Sequence, residues 1–568
     1  MSTRRHPARS KLAVALCLGA ILIGGLRSDF AVPTTTAGFT DSTYGAASLT
    51  TTAKVPVEAV KYDQSAASAL FLSDSGGLYI SGYRGTGDGN GGKPNAQAEP
   101  NRVKFPEGVQ IIDATGSTND FNAIFADTTT SFMALDAEGG VWTWGRVYGV
   151  RDLIGRGDIS RAGSRYVGQV TATAEGRSLP PIARMARTEN QFLALDYEGT
   201  MWVWGYGGEN MPTPDKYGDA PLPVRANHTT AAPSLLTCSG NRDNNLGPVP
   251  FRSIWSGNNA GGAVGQNGLL YTWGFDNSDA LGGLVTNTRC PSLNEGANRE
   301  LFQRYPELYT TAEGEIYDEG ELSTEEERHE RYVEIAEAMR RGEFPVCAGV
   351  VEGPGPDTSG CPVRQFGHSS GAAHLLTSGG ELLTWMTRKG YGEPFLGREP
   401  TPSSPARRPA PVTGDLRFDE VTAGVSSLVA LSTDGRVYGW GSNNLCQAVG
   451  VMTEYGTPTD GDCGDGGKES DAAVVVVPQL VDGIPEGTPA TSISATQCAA
   501  WATLADGSAY GWGAGTAAGY GFSQCRQPAS SYRGYKIHRE VPEGGSGPFG
   551  EPVTQRATAT IRTSRRHR

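Results

Sequence analysis

The sequence predicts an all-β protein, a seven-bladed β-propeller with one helical insertion between blades four and five. A glycine followed five residues later by a tryptophan–glycine pair, or a variant of it, recurs seven times along the 568 residues. Glycine and proline are abundant (78 and 35 residues) and charged residues make up only 19%, which is typical of a chain with many turns. The repeat interval holds about four short strands, the content of one propeller blade.

The sixth repeat shows how the sequence encodes a blade. Strand-forming residues begin at Val421 and again at Ser427–Leu431. Asp434-Gly435 is a two-residue turn of the kind that needs positive φ, so it predicts a hairpin. β-Branched and aromatic residues then run to Trp440, and Gly441 ends the return strand where the chain must turn sharply.

The other six repeats follow the same plan and stay in phase. The first has serine in place of the tryptophan, and the fifth has methionine in place of the closing glycine. The seven glycine and tryptophan–glycine marks are Gly76 with Ser81-Gly82, Gly139 with Trp144-Gly145, Gly199 with Trp204-Gly205, Gly268 with Trp273-Gly274, Gly380 with Trp385-Met386, Gly435 with Trp440-Gly441 and Gly507 with Trp512-Gly513. Repeats of this kind bury their apolar faces only against neighbouring units.

The block VTAGVSSLVALSTDGRVYGWGSNN, which starts at Val421, resembles the repeat of the regulator of chromosome condensation family, a seven-bladed propeller. The resemblance covers roughly Val57 to Cys525. Many repeats of that family end in a Gln-Leu-Gly-like tail, seen here in looser form at 153–157 and 446–450. The resemblance to exported bacterial members implies a protein-binding scaffold, since some of those members inhibit secreted enzymes such as β-lactamases. The family's founding nuclear member implies a guanine-nucleotide exchange factor instead.

The chain divides into three predicted parts. Residues 1–37 form a signal peptide or an N-terminal anchor, because a basic start is followed by the short apolar run Leu12–Leu26. Residues 55–530 form the propeller, with the helical insertion at about 295–345. Residues 531–568 form a C-terminal tail that could supply a ring-closing strand before a disordered basic end.

Export agrees with the cysteine count. Cleavage of the leader would remove Cys17 and leave eight of the nine cysteines, an even number that suggests disulfides in an oxidising compartment. Sequence proximity favours four pairs, although eight cysteines allow many other connectivities. The favoured pairs are Cys238–Cys290, Cys347–Cys361, Cys446–Cys463 and Cys498–Cys525.

The long interval after the fourth mark predicts a helix. Ser323 and Glu326 have the spacing of a capping box. The residues Tyr332, Ile335, Ala336 and Met339 then form one apolar stripe. The helix is either a partner-binding protrusion or an insertion that packs its stripe on the ring, and the second is the commoner outcome.

Several motifs are better explained by structure than by function. Arg156-Gly157-Asp158 spells an integrin-recognition tripeptide but falls in a repeat tail. The acidic loop around Asp460 lacks the spacing of a calcium loop, and the sequon at Asn227 is too short to be specific. His368 and His374 are predicted to be blade residues rather than a base or ligands, and no nucleophile or phosphate-loop motif is present.

These observations predict a secreted or surface-attached binding scaffold, extracellular or at the cell surface, monomeric, and without enzymatic activity, cofactor or metal. The net charge of −13 argues against a nucleic-acid partner, and membrane contact would come only through an uncleaved N-terminal segment. The partner is expected to be a protein or a cell-envelope component. The alternatives are the exchange factor and a hydrolase of envelope polymers. Candidate partner-binding residues follow the tryptophan–glycine marks, where aromatic anchors would lie in loops: Tyr148, Arg151, Tyr206, Tyr391 and Tyr455.

Overall fold

The computed structural model describes most of residues 59–513. Outside the described residues lie 1–58, 514–568 and several internal stretches, the longest being 206–219, 227–249, 275–290, 307–346 apart from Thr324 and Glu327, and 450–473. All described residues belong to one compact unit.

The described residues form seven antiparallel sheets, six with four strands and one with three. Within each sheet the strands pair in chain order, so each sheet is a meander of the kind that builds a propeller blade. The strands, sheet by sheet, are β1 (Ala59–Ser65), β2 (Ser68–Ser73), β3 (Leu78–Gly82), β4 (Gln97–Arg102); β5 (Ile111–Thr118), β6 (Thr130–Asp136), β7 (Val141–Gly145), β8 (Gly168–Gln169); β9 (Ile182–Arg187), β10 (Gln191–Asp196), β11 (Met201–Gly205), β12 (Ala220–Arg225); β13 (Phe251–Ser256), β14 (Ala260–Gly265), β15 (Leu270–Gly274), β16 (Ser292–Leu293); β17 (Val363–His368), β18 (Ala372–Thr377), β19 (Leu382–Met386), β20 (Ala410–Pro411); β21 (Phe418–Ala423), β22 (Ser427–Ser432), β23 (Val437–Ser442), β24 (Val474–Leu480); and β25 (Ala490–Ala495), β26 (Ala499–Leu504), β27 (Ala509–Gly513).

The first strands of the sheets close a ring. Each contacts the first strand of the next sheet, from β1 through β5, β9, β13, β17 and β21 to β25. The strand β25 in turn contacts β1. The first strands therefore lie innermost, and the all-β propeller predicted from the sequence is confirmed.

The hairpins lie where the sequence predicts them. In the sixth sheet Gly435 has φ +80° between β22 and β23, as the two-residue turn requires. The first strand, β21, begins at Phe418 rather than at the predicted Val421, because Phe418 pairs with Ser432 beyond a bulge. The degenerate first and fifth repeats both form complete four-stranded sheets.

In two sheets, an aspartate at the equivalent position stabilises the hairpin between the second and third strands. The Asp196 carboxylate accepts the backbone N–H groups of Glu198 and Thr200 at 3.0 and 2.8 Å. Its other oxygen accepts the indole N–H of Trp202 at 2.9 Å. Asp136 makes the equivalent contacts in the second sheet. A buried carboxylate thus replaces the missing backbone partners of a tight turn.

The repeat tryptophans are the largest fully buried side chains. Six of them have 0% exposure: Trp144, Trp204, Trp273, Trp385, Trp440 and Trp512. Burial of this much apolar area makes a large contribution to the free energy of folding. An indole N–H, however, needs an acceptor when it leaves water.

For Trp440 and Trp512 that acceptor lies in the tail of the preceding repeat. The indole N–H of Trp440 in sheet six donates to Phe395 O, after the third strand of sheet five, at 3.0 Å. The indole of Trp512 in sheet seven donates to Ala448 O, after the third strand of sheet six, at 3.3 Å. Gly155, in the tail of sheet two, lies against the Trp204 ring with φ +69°. Each of these three tails therefore joins one sheet to the next.

Each tail is also held by its own sheet. The Thr143 hydroxyl on β7 donates to Ile154 O at 2.6 Å, and the Thr384 hydroxyl on β19 donates to Leu396 O. In the sixth sheet the equivalent residue is Gly439, where an added Cβ would lie 1.9 Å from Ala448 O. The tail is thus fixed between the strand that precedes it and the next indole.

The interval between the fourth and fifth sheets contains helix α1 (Glu295–Arg304). Leu301 and Phe302 are fully buried and belong to the main core. The predicted capping box is wrong by one residue: the reciprocal bonds join Thr324 and Glu327 at 2.9 and 3.1 Å, not Ser323 and Glu326. The apolar stripe predicted at 332–339 lies outside the described residues.

The tail–tryptophan contact predicts that alanine substitutions at two glycines of one tail lower the free energy of unfolding by different amounts. A Cβ at Gly155 would lie 2.7 Å from Trp204 Nε1, whereas at Gly157 the nearest atom would be 3.6 Å away. Both glycines have positive φ (69° and 75°), so backbone strain affects both alanine variants. We expect Gly155→Ala to lower the free energy of unfolding by about 1–3 kcal/mol more than Gly157→Ala, measured by urea denaturation. Equal losses would contradict the contact.

Candidate protein-binding surface

Polar side chains on the innermost strands link neighbouring sheets around the ring. The Gln365 side chain on β17 accepts the N–H of Val421 on β21 at 3.0 Å and donates to Val421 O. The Glu420 carboxylate on β21 accepts the N–H of Ile493 on β25 at 3.4 Å. These side chains occupy the position just after a bulge in each strand. The lining of the ring is therefore polar, while the sheet faces are apolar.

A loop closed by one disulfide crosses the start of three innermost strands. Cys347 and Cys361 are buried and bonded to each other, as predicted. Between them, Val351 N donates to Arg252 O on β13 and Gly353 N donates to Ala183 O on β9, both at 2.9 Å. We call this segment the Cys347–Cys361 loop.

Further along the same loop, Asp357 N donates to Arg364 O on β17 at 2.7 Å. The loop is therefore tied to the backbone of sheets three, four and five at the end where their first strands begin. The turns between second and third strands lie at this same end of each sheet. We call this side of the ring the hairpin face.

The loop is also held by buried charges. The Asp357 carboxylate accepts Arg252 Nε at 2.6 Å and Nη2 at 3.3 Å, and both side chains are buried. Beside this pair, Arg184 donates to Gly355 O and lies over the Trp255 ring, 5.5 Å from its centroid. Burial lowers the pKa of Arg184 to about 10, although the negative charges of Asp113 and Asp357 oppose the shift. The arginine remains charged at neutral pH.

Helix α1 joins sheets four and five on the hairpin face. Its Asn298 side chain accepts the N–H of Leu270 at 2.9 Å and donates to Leu270 O at 3.0 Å, which satisfies the backbone of β15. At the other end of the helix, Arg304 pairs with Glu381 at 3.0 Å. The hydroxyl of Tyr305 lies 2.7 Å from that of Thr377 on β18. The insertion thus packs on the ring rather than projecting from it along this segment.

Large apolar groups are exposed on the hairpin face. Tyr197, in the turn of sheet three, is 47% exposed, and Ile112, at the start of sheet two, is 37% exposed. The bond from Gly353 N to Ala183 O attaches the loop to the same sheet as Tyr197. Partial burial and the nearby charge of Glu352 raise the pKa of this tyrosine. An exposed aromatic ring beside a rigid loop is a common feature of protein-binding surfaces.

The two histidines considered as blade residues are both buried. Among the described residues, no hydrogen-bond partner is found for either ring nitrogen of His368 or for Nδ1 of His374. Burial lowers the pKa of His368 to about 4. Burial and the neighbouring His368 lower the pKa of His374 to about 3. Both rings are therefore neutral at pH 7 and occupy the interior of sheet five.

The other predicted site residues cannot be placed. Tyr148, Arg151, Tyr206, Tyr391 and Tyr455 all lie outside the described residues, as do the six other cysteines of the predicted disulfides. The loop around Asp460, the sequon at Asn227 and Asp158 of the tripeptide lie there too. Within the described ranges there is no group of three or more His, Cys, Asp or Glu side chains placed to hold a metal ion. None of the helices described has the length and hydrophobicity needed to cross a bilayer.

A sequence model described as the regulator of chromosome condensation (RCC1) repeat matches residues 418–446. This range covers β21 to β23 and the start of the sixth tail. The remaining sheets repeat its strand order, its hairpin and, in five of the six, its buried tryptophan. The match supports the resemblance to the regulator of chromosome condensation repeat that the sequence predicts.

The chain is 22% identical over 321 residues to the RCC1 domain-containing protein RUG3, mitochondrial, from Arabidopsis thaliana, and the match covers 54% of this chain and 62% of that protein. The crystal structure of human WBSCR16 is 13% identical with a TM-score of 0.47, covering 78% of this chain and 85% of that one. The structure of Prp20p from Saccharomyces cerevisiae, described with its binding to Gsp1p and histones, is 16% identical with a TM-score of 0.49, covering 81% and 85%.

The buried ion pair of the loop predicts a large effect of one substitution. Asp357→Asn leaves the Arg252 charge buried without its counter-charge, so we expect the free energy of unfolding to fall by about 3 kcal/mol. The matched control is Asp419→Asn: Asp419 pairs with Arg364 at 2.8 Å, but its side chain is 42% exposed, so we expect a loss below about 1 kcal/mol. Urea denaturation of both variants measures the difference. Equal losses would show that the loop is not held by this pair.

The buried histidines predict a pH dependence. Their pKa values are lower in the folded protein (about 4 and about 3) than the ordinary value of about 6.5. At pH values between the folded and ordinary pKa, the unfolded chain therefore binds more protons than the folded protein. The free energy of unfolding should therefore fall as the pH drops from about 6.5 toward 4. His374→Leu should reduce this slope by up to about 1.4 kcal/mol per pH unit, measured by denaturation at several pH values. An unchanged slope would contradict the burial of His374.

Proposed function

We propose that the protein is an exported, non-enzymatic scaffold that binds another protein, or a cell-envelope component, through the hairpin face beside the Cys347–Cys361 loop. The family supports a binding role in general, and the site and the export are proposed here. The apolar leader, the even number of cysteines after its removal and the disulfide in the loop all favour an oxidising compartment.

The observation that carries this proposal is the attachment of the loop to three sheets. Backbone bonds from Val351, Gly353 and Asp357 fix its path, and the disulfide closes its ends. A loop held in this way loses little conformational entropy when a partner binds, which favours affinity. The exposed Tyr197 ring and the Glu352 carboxylate beside it would supply an apolar anchor and a polar rim.

The opposite side of the ring offers a second location for the same function. The five residues Tyr148, Arg151, Tyr206, Tyr391 and Tyr455 follow the third strands in the sequence and would act there. A guanine-nucleotide exchange factor is the second candidate, and it rests on the family match. The disulfide disfavours it, since small GTPases work in reducing compartments.

Two exposed tyrosines on opposite sides of the ring provide a matched test. Tyr197 lies in a turn between second and third strands, whereas Tyr166, which is 55% exposed, lies between the third and fourth strands β7 and β8. We expect Tyr197→Ala to weaken capture of a partner from the native culture by the immobilised protein at least tenfold, or about 1.4 kcal/mol. Tyr166→Ala should leave capture unchanged. Mass spectrometry with isotope-labelled quantification measures both.

Three outcomes would contradict the proposal. Loss of capture with Tyr166→Ala alone would move the binding surface to the opposite side of the ring. Recovery of no secreted or envelope protein by the unaltered chain would contradict the scaffold function itself. Accelerated nucleotide release from a GTPase that the chain captures would favour the exchange factor.

A further inference from the structure

Three segments of the chain meet at the start of β9 on the hairpin face. The turn of sheet two reaches this point because Ile182 N donates to Gly139 O at 2.9 Å. The turn of sheet three reaches it because Asp196 lies opposite Ile182 in the ladder of β10 and β9. The disulfide-closed loop reaches it through the bond from Gly353 N to Ala183 O at 2.9 Å. Side chains of two turns and of the loop are therefore brought together at one strand start.

Each of these segments carries an exposed glutamate. Glu138 lies in the turn of sheet two, Glu198 in the turn of sheet three and Glu352 in the loop. Within the described ranges, the carboxylates of these three glutamates form no salt bridge and no hydrogen bond. The carboxylates are therefore available to a group from outside the chain.

The buried arginines next to the loop do not neutralise the three glutamates. Arg252 is paired with Asp357 at 2.6 Å. The carboxylates of Asp113 and Asp357 both act on the charge of Arg184. These two positive and two negative charges cancel, so the exposed glutamates leave this part of the hairpin face negative.

An aromatic ring lies beside the three glutamates. Tyr197 directly precedes Glu198 in its turn, and the tyrosine side chain is 47% exposed. Ile112 lies on the neighbouring first strand, β5, which contacts β9, and is 37% exposed. Apolar surface and unpaired negative charge therefore occur together, and a partner that fits this surface must complement both.

A guanidinium group complements both features. Its planar face stacks on an aromatic ring, and its N–H groups bind carboxylate oxygens in a fork. The chain already contains such a stack, since Arg436 lies over the Tyr438 ring at 6.0 Å from its centroid. The ammonium group of lysine is a more strongly hydrated point charge and fits an aromatic ring less well.

We propose that Tyr197 and the three glutamates bind an arginine side chain in a basic segment of the partner protein. This inference rests on the binding function proposed above and specifies the chemistry of the partner. The guanidinium lies on the Tyr197 ring and pairs with the carboxylates, while an apolar neighbour in the same segment packs against Ile112. The net charge of −13 attracts such a segment over a longer range, so binding should weaken as salt is added.

A synthetic peptide tests this chemistry without the native partner. The probe is the capped peptide Gly-Arg-Leu-Arg-Gly, and its control contains citrulline, which keeps the shape of arginine without the charge. Binding to the full chain is measured by saturation-transfer NMR on the signals of the peptide side chains. We expect the arginine peptide to give a signal at least about threefold stronger than the citrulline peptide.

A triple variant and a matched control locate the binding surface. Replacing the three glutamates by glutamine, or Tyr197 by leucine, should weaken the arginine signal at least about threefold. The control removes the same number of charges at exposed carboxylates elsewhere on the ring, with Glu399→Gln, Asp415→Asn and Glu486→Gln. It should bind the peptide as the unaltered chain does. Urea denaturation should show that both triple variants keep their free energy of unfolding, because all six side chains are exposed.

Four results would overturn the inference. Equal losses in the two triple variants would mean that only net charge matters, and an unchanged signal in the first triple variant or in Tyr197→Leu would remove the site. Displacement of the peptide by Ca²⁺, lost in the first triple variant, would make the glutamates a cation site instead. A stronger signal after deletion of 561–568, which carries four arginines, would mean that the basic end of the chain itself occupies the surface.

Failure of this inference can be distinguished from failure of the proposed function. A captured partner whose binding depends on Tyr197 but not on the three glutamates would leave the scaffold function standing and reject the arginine site. Peptide binding with the expected losses, but no partner captured from the native culture, would support the arginine site and contradict the scaffold function.

Discussion

The fold depends on contacts between repeat tryptophans and the tail of the preceding repeat, as Trp204, Trp440 and Trp512 show. The indole of Trp440 is fully buried, and its N–H finds an acceptor only across the boundary between sheets, at Phe395 O. The tail that offers this acceptor is fixed on its own sheet by the Thr384 hydroxyl. A single repeat can therefore neither bury its tryptophan nor supply an acceptor for the indole N–H. This is why the units fold as a ring and not as separate domains.

The same constraint explains where the chain departs from the repeat. Sheets three to five carry the Cys347–Cys361 loop on the hairpin face, and helix α1 joins sheets four and five there. The loop binds the starts of the innermost strands, and the helix binds the ends of second and third strands at the same face. The buried pair of Arg252 and Asp357 is costly to desolvate, so its value lies in fixing one position of the loop. A regular scaffold thus carries an irregular surface, and binding specificity belongs to that surface.

The hairpins and the buried tryptophans could be predicted because their signals are local. A glycine with positive φ and an alternating β-branched strand need no distant partner. The start of β21 could not be predicted from the sequence, because Asp419 and Glu420 interrupt the apolar pattern there. Their carboxylates bind Arg364 and the N–H of Ile493, in the two adjacent sheets. The capping box was ambiguous by one residue, since Ser323 with Glu326 and Thr324 with Glu327 have the same spacing. The disulfide in the loop followed from proximity, but its place on the ring depends on contacts with strands 100 or more residues away.

Native-state hydrogen exchange tests the coupling between repeats most directly. If the tails, the indoles and the contacts between first strands join all seven sheets, no sheet opens alone. The second strands β2, β6, β10, β14, β18, β22 and β26 should then share one opening free energy equal to that of global unfolding. The seventh sheet should open with the rest, because β25 also contacts β1. Opening of one or more sheets at a lower free energy, with the remainder still protected, would contradict the account.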